Sequence, residues 1–128
     1  MDYNFSELMT LLDWNNSEIN QKKGRVIAKS IKDLNIFMQP LTDEFNKNVW
    51  DNCAMILCEK TDDELEPYII PLLEWLQDLN WPGALSILRR LSSFSNHKSM
   101  VLARNKCIEQ AKKDDDSIWI DNMMKIST

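Results

Sequence analysis

Glycine is scarce in this chain, two among 128 residues, and only four prolines accompany it. So small a supply builds few tight turns, which disfavours many short strands and favours long helices. Histidine is scarcer still. His97 stands alone, so a catalytic or metal site built on imidazole has little to draw on. No apolar run approaches the ~18 residues of a membrane span. The start, Met1-Asp2-Tyr3-Asn4, lacks the basic-then-apolar form of a secretory leader. Cys53, Cys58 and Cys107 are an odd number without framework spacing, which predicts reduced, partly buried thiols in a cytoplasm.

Apolar residues make up 44 % of the chain, enough for one core, and a single domain over 1–128 is expected. The clearest local pattern is Leu72-Leu73-Glu74-Trp75-Leu76-Gln77-Asp78-Leu79-Asn80-Trp81-Pro82-Gly83-Ala84-Leu85. Leu72, Trp75, Leu76 and Leu79 share one helical face, and Glu74 and Asp78 lie i,i+4 on another. Asn80 suits the end of this helix or the cap of the next. Pro82 cannot continue the first helix and suits the opening turn of a second.

The same reading along the chain predicts six to eight helices and no strand. Ser6 caps a first helix carrying Leu8, Met9, Leu11 and Leu12. Ser17 opens a second with Ile19, Val26, Ile27, Ile31 and Leu34, in which Gly24 implies a close helix–helix approach. Thr42 caps a third with Phe45, Val49, Cys53, Ile56 and Leu57. Thr61 and Glu64 have capping-box spacing. A short turn of helix, a break and a main helix over about 67–79 follow, then helices over about 82–94 and 97–113. A short last helix carries Ile118, Trp119 and Met123. The segments from Trp50 and from Trp81 align at an offset of 31, and a fainter copy starts at Ile27. The expected fold is therefore all-α, a short stack of antiparallel helical hairpins similar to a HEAT-like solenoid.

Chemical motifs are weak. Cys53 and Cys58 lie five apart, which does not bring two side chains onto one helix face, and no paired spacing supports a zinc site. A nucleophilic cysteine needs a base and an orienting group, which one histidine at a polar corner does not supply. Asp114-Asp115-Asp116 lacks the alternating ligands and central glycine of a calcium loop and reads as a capped turn. No cofactor and no metal are expected.

Charge is more telling. The net charge is −5, which argues against nucleic acid as the main partner. Residues 43–78 hold ten acids against Lys47 and Lys60, whereas 19–32 hold five bases and no acid. Residues 89–113 hold seven bases with Glu109 alone. Such zoning fits either solvated helix faces or an acidic face that steers a basic partner. On the second reading the contact residues are Glu59, Asp62, Asp63, Glu66, Glu74 and Asp78, with Trp81 at the corner as an apolar anchor.

The Leu-Leu-Glu-Trp-Leu-Gln-Asp helix running into Asn80-Trp81-Pro82, with Asp114-Asp115-Asp116-Ser117-Ile118-Trp119, resembles a group of small bacterial proteins of poorly defined function. Leu12-Asp13-Trp14-Asn15 and the connector from Phe37 to Pro40 extend the resemblance over most of the chain. It implies HEAT-type helical repeats and a role as an immunity protein beside a toxin gene. It supplies no catalytic residue. The function expected is binding and blockade, without chemistry, of a basic toxin domain such as a nuclease, encoded by an adjacent gene. A helical-repeat scaffold or peptide-binding module is the alternative.

Overall fold

The computed structural model describes residues 4–38 and 47–127. Among them the fold is all-α, with no strand. Helix α1 (Phe5–Leu12) and helix α2 (Glu18–Ala28) form the first hairpin. A 3₁₀ turn, Leu34–Phe37, leads away from them, and another, Lys47–Val49, enters helix α3 (Trp50–Cys58). A helical run follows: α4 (Asp62–Leu65), a 3₁₀ turn at Glu66–Tyr68, α5 (Ile69–Glu74) and a 3₁₀ turn at Trp75–Gln77. Helices α6 (Ala84–Ser92), α7 (His97–Lys113) and α8 (Ser117–Met123) complete the chain.

Capping explains most boundaries. Ser17, Thr61, Asn96 and Asp116 each accept a hydrogen bond from a first-turn amide of their own helix. The capping box is complete, since Thr61 and Glu64 each receive the other's backbone N–H. The first cap differs from expectation. Asn4, not Ser6, accepts from Glu7, and Ser6 lies inside α1. Thr42 and Phe45 lie outside the described residues.

The helical run also corrects the expected 67–79 helix. Proline lacks an N–H, so Pro71 fits only the opening of a helix, and α5 begins two residues before it. The run stops at Gln77, and Asp78 is extended. Glu74 and Asp78 are therefore not a pair on one helix face. Nor does Asn80 or Pro82 start the next helix. Gly83 takes the left-handed conformation, φ +81°, and α6 begins only at Ala84.

One core joins these elements. Trp75, Phe37, Leu57, Leu65, Leu72 and Leu76 are among its fully buried side chains. Each such apolar side chain contributes about 1.5–3 kcal/mol by leaving water. Helix α1 packs on α2, α3 on α6, α5 on α7, and α7 on α8. The two segments that align at an offset of 31 are thus the openings of neighbouring elements, α3 and the corner before α6. Gly24 makes the close approach its position implied: a Cβ there would lie 2.8 Å from Leu12 Cδ2. Helix α2 stops at Ala28, so Ile31 and Leu34, expected on it, are buried beyond its end, while its own Ile19 and Val26 are exposed. The buried residues of α2 are Gly24 and Ala28, so small size rather than bulk defines its inner face.

A polar tie reinforces this end. The amide of Asn52, buried on α3, donates to the Leu12 carbonyl at 2.7 Å and to Gln21 Oε1 at 2.9 Å. Its oxygen accepts from Arg25 Nη1 at 2.6 Å. One side chain so satisfied links the end of α1, the middle of α2 and α3.

Candidate interaction surface

The expected acidic residues separate into two groups. From Asp63 to Glu74 the helical run rises about 1.5 Å per residue, some 16 Å in all. Glu59, Asp62, Asp63 and Glu66 gather near its start. Glu74, Asp78 and Trp81 belong to its far end.

In the first group, two acids are committed to bonds within the molecule, although Glu66 is exposed and Asp62 half-buried. Asp62 Oδ2 accepts from the Ser95 amide at 2.8 Å and the Ser95 hydroxyl at 2.6 Å. Its Oδ1 meets Arg90 Nη2 at 2.6 Å. The Ser95 hydrogen bonds, with Arg90 adding to them, hold the Asp62 carboxyl down at about 2. Glu66 Oε1 accepts from Asn96 Nδ2 at 2.9 Å and from the Ser99 hydroxyl at 2.6 Å. Both acids therefore fasten the start of the run to the corner between α6 and α7. Glu64 serves its own helix, and the Thr61 hydrogen bonds lower its pKa. Glu59 and Asp63 are exposed and their side chains make no described hydrogen bond, so they are the acids this end leaves uncommitted.

At the far end, Glu74 is exposed. Asp78 is half-buried and accepts from the Asn80 amide at 2.8 Å, an Asx turn that starts the corner. Trp81 is half-buried and meets Trp50 edge-on at 5.4 Å. Trp75 meets Trp50 edge-on at 6.0 Å and donates its indole N–H to the Pro82 carbonyl at 2.9 Å. Trp81 is thus a core-edge residue whose outer part alone is available. Lys47 Nζ lies 5.9 Å from the Trp50 and Trp81 rings, close enough for cation–π attraction. Trp119, on α8, donates to the Leu73 carbonyl, whereas Trp14 is exposed at the first turn.

The thiols are poor nucleophiles. Burial pushes Cys53 up to about 12 and Cys107 up to about 11, the latter helped by the Glu74 charge. Burial also raises Cys58. All three stay protonated at neutral pH. His97 opens α7 and is exposed. Asp116 caps α8, as the turn reading required, and Asp115 takes φ +53° beside it. Among the described residues no cluster of His, Cys, Asp and Glu could hold a metal ion. A cleft of about 240 Å³ between α2 and α3 mixes Arg25, Lys29 and Lys60 with Glu59 and Glu64.

Arg90, Ser95, Asn96 and Ser99 are the residues that sequence reasoning missed. Their partnership with Asp62 and Glu66 spans 28 to 33 residues and leaves no periodic trace. The only available signal was the opposite charge of the two segments.

Fold and surface together define an all-α protein that presents carboxylates and the edge of an aromatic cluster on a braced helical framework. The chain belongs to the family described as a domain of unknown function, DUF5071, whose model matches residues 45–128. No curated protein and no solved structure matches it. The matched segment holds α3 through α8, and α1 and α2 precede it.

Proposed function

We propose that this protein is a non-enzymatic immunity protein, a HEAT-like helical stack that binds a basic toxin domain in the cytoplasm and blocks its active surface. The observation that carries the reading is the division of labour among the acids. Asp62 and Glu66 brace the helical run against the corner after α6. Glu59 and Asp63 then project from a fixed backbone, so ordering them on binding costs little. A nuclease must attract phosphate, and its cationic site favours rapid association with such a face. Glu74, with the outer part of Trp81, supplies a second contact further along the run.

The side-by-side packing of α3 with α6 and of α5 with α7 supports the helical-repeat part of this reading. The test is co-expression with the basic toxin encoded next door, scored for growth rescue, with association rates measured at low salt. Glu59→Lys with Asp63→Lys should slow association about tenfold and leave the fold intact. Unchanged rates would sink the electrostatic mechanism, and absence of both rescue and binding would sink the immunity role. The mixed-charge cleft between α2 and α3 favours a second reading, a scaffold that holds a charged peptide. Peptide binding lost with Lys29→Glu, without any toxin partner, would select it.

A further inference from the structure

A groove of about 230 Å³ runs between α5 and α7, and its floor is apolar: Pro67, Ile70, Leu102 and Ala103. Leu102 is 57 % exposed and Ile70 39 %, high values for aliphatic side chains that share one groove. The ends of the groove carry opposite charges. Glu66 stands at one end, fixed beside Ser99, and Lys106 at the other. Lys106 lies seven positions beyond Ser99 on α7, a rise of about 10 Å. Leu102 falls between them.

We propose that this groove is the interface of a twofold-symmetric homodimer. A twofold interface pairs residue i with j and j with i, so a patch that is acidic at one end and basic at the other is complementary to itself. An axis passing near Leu102 lays the Leu102 and Ile70 side chains of two copies together. It also sets Glu66 of each copy against Lys106 of the other, on both sides of the centre. Glu66 is prepared for this contact. Asn96 and Ser99 both donate to Oε1, so the carboxylate is held in place while Oε2 keeps its lone pairs for an ammonium group. The arrangement is independent of the toxin reading, which rests on Glu59 and Asp63.

Sedimentation equilibrium of the full chain tests the proposal. A dimer with a dissociation constant of roughly 1–100 μM is expected for a small, mixed interface. Leu102→Asp should weaken it at least about thirtyfold, and Lys106→Glu about tenfold, with unchanged circular dichroism, since both residues are exposed. The decisive arm mixes two variants. Glu66→Lys alone and Lys106→Glu alone each set like charges together at both ends. A one-to-one mixture pairs opposite charges at both ends, so heterodimers should form about as tightly as the parent dimer. A monomer up to about 1 mM at low salt would overturn the proposal. So would a dimer indifferent to Leu102→Asp, or a mixture no tighter than its components. If Glu66→Lys fails to fold, the two exposed single variants still decide the outcome.

Discussion

Two corners flank α6, and they are held by different forces. Before α6 the chain turns through Asp78–Gly83 against aromatic rings. Trp75 ties down the Pro82 carbonyl, Trp81 packs on Trp50, and Gly83 fits under Ala54. After α6 the chain turns through Ser93–Asn96, and there carboxylates do the holding. Asp62 grips Ser95 and Arg90, while Glu66 grips Asn96 and Ser99. Packing of the first kind fails when shape changes and ignores pH. Charged bonds of the second kind tolerate changes of shape and fail when a proton arrives.

The comparison is sharpest at Trp75. Trp75→Ala should remove about 3–5 kcal/mol, read from urea denaturation, because it empties a fully buried site and strands the Pro82 carbonyl. Gly83→Ala should cost about 2–4 kcal/mol by the same measurement. Its Cβ would lie 2.6 Å from Ala54 Cβ and 3.1 Å from the Trp50 carbonyl oxygen, in a left-handed conformation that alanine resists. At the second corner, Asp62→Ala should cost about 1–2 kcal/mol at pH 7, since its bonds are charged but reach solvent. An Asp62→Ala loss matching that of Trp75→Ala would erase the distinction between the corners.

Acid separates them further. The folded pKa of Asp62, about 2, lies below the ordinary value of 3.8. Its contribution is therefore complete above the unfolded pKa and fades as pH falls from about 5 towards 2. The parent protein should lose stability across that window more steeply than Asp62→Asn. Gly83→Ala should shift the whole curve down without changing its slope. Parallel curves for the parent and Asp62→Asn would show that the second corner does not depend on the Asp62 charge. Gly24→Ala should have the smallest effect, within about 1 kcal/mol. Helix propensity gains there, which offsets part of the cost of pushing back Leu12 Cδ2 at 2.8 Å and Leu11 Cβ at 3.0 Å.

The same contrast explains what the sequence disclosed. Features encoded within four residues were legible: the Thr61–Glu64 capping box, the Ser17 cap and the bounds of α7. The close approach at Gly24 was legible because glycine inside a helix needs a reason. Pro82 misled, since proline suits a helix start and a following left-handed glycine leaves no mark until its backbone angle is known. Ile19 and Val26 misled because hydropathy does not say which face a helix buries when Gly24 and Ala28 line it. The acidic zone was visible as composition. Which acids are bonded within the molecule depends on Ser95 and Asn96, some thirty residues away, and no local pattern encodes that distance.

Asn52 gives the family boundary a thermodynamic meaning. The matched segment, 45–128, contains Asn52, yet all three of its partners, Gln21, Arg25 and the Leu12 carbonyl, lie in the preceding hairpin. Peeling α1 and α2 away would exchange the three Asn52 hydrogen bonds for bonds to water, a net loss of about 0.5–1.5 kcal/mol for each beyond the lost apolar burial. The first hairpin should therefore unfold with the rest as one cooperative unit. Its amides should exchange hydrogen with the global unfolding event and not as an early-opening end.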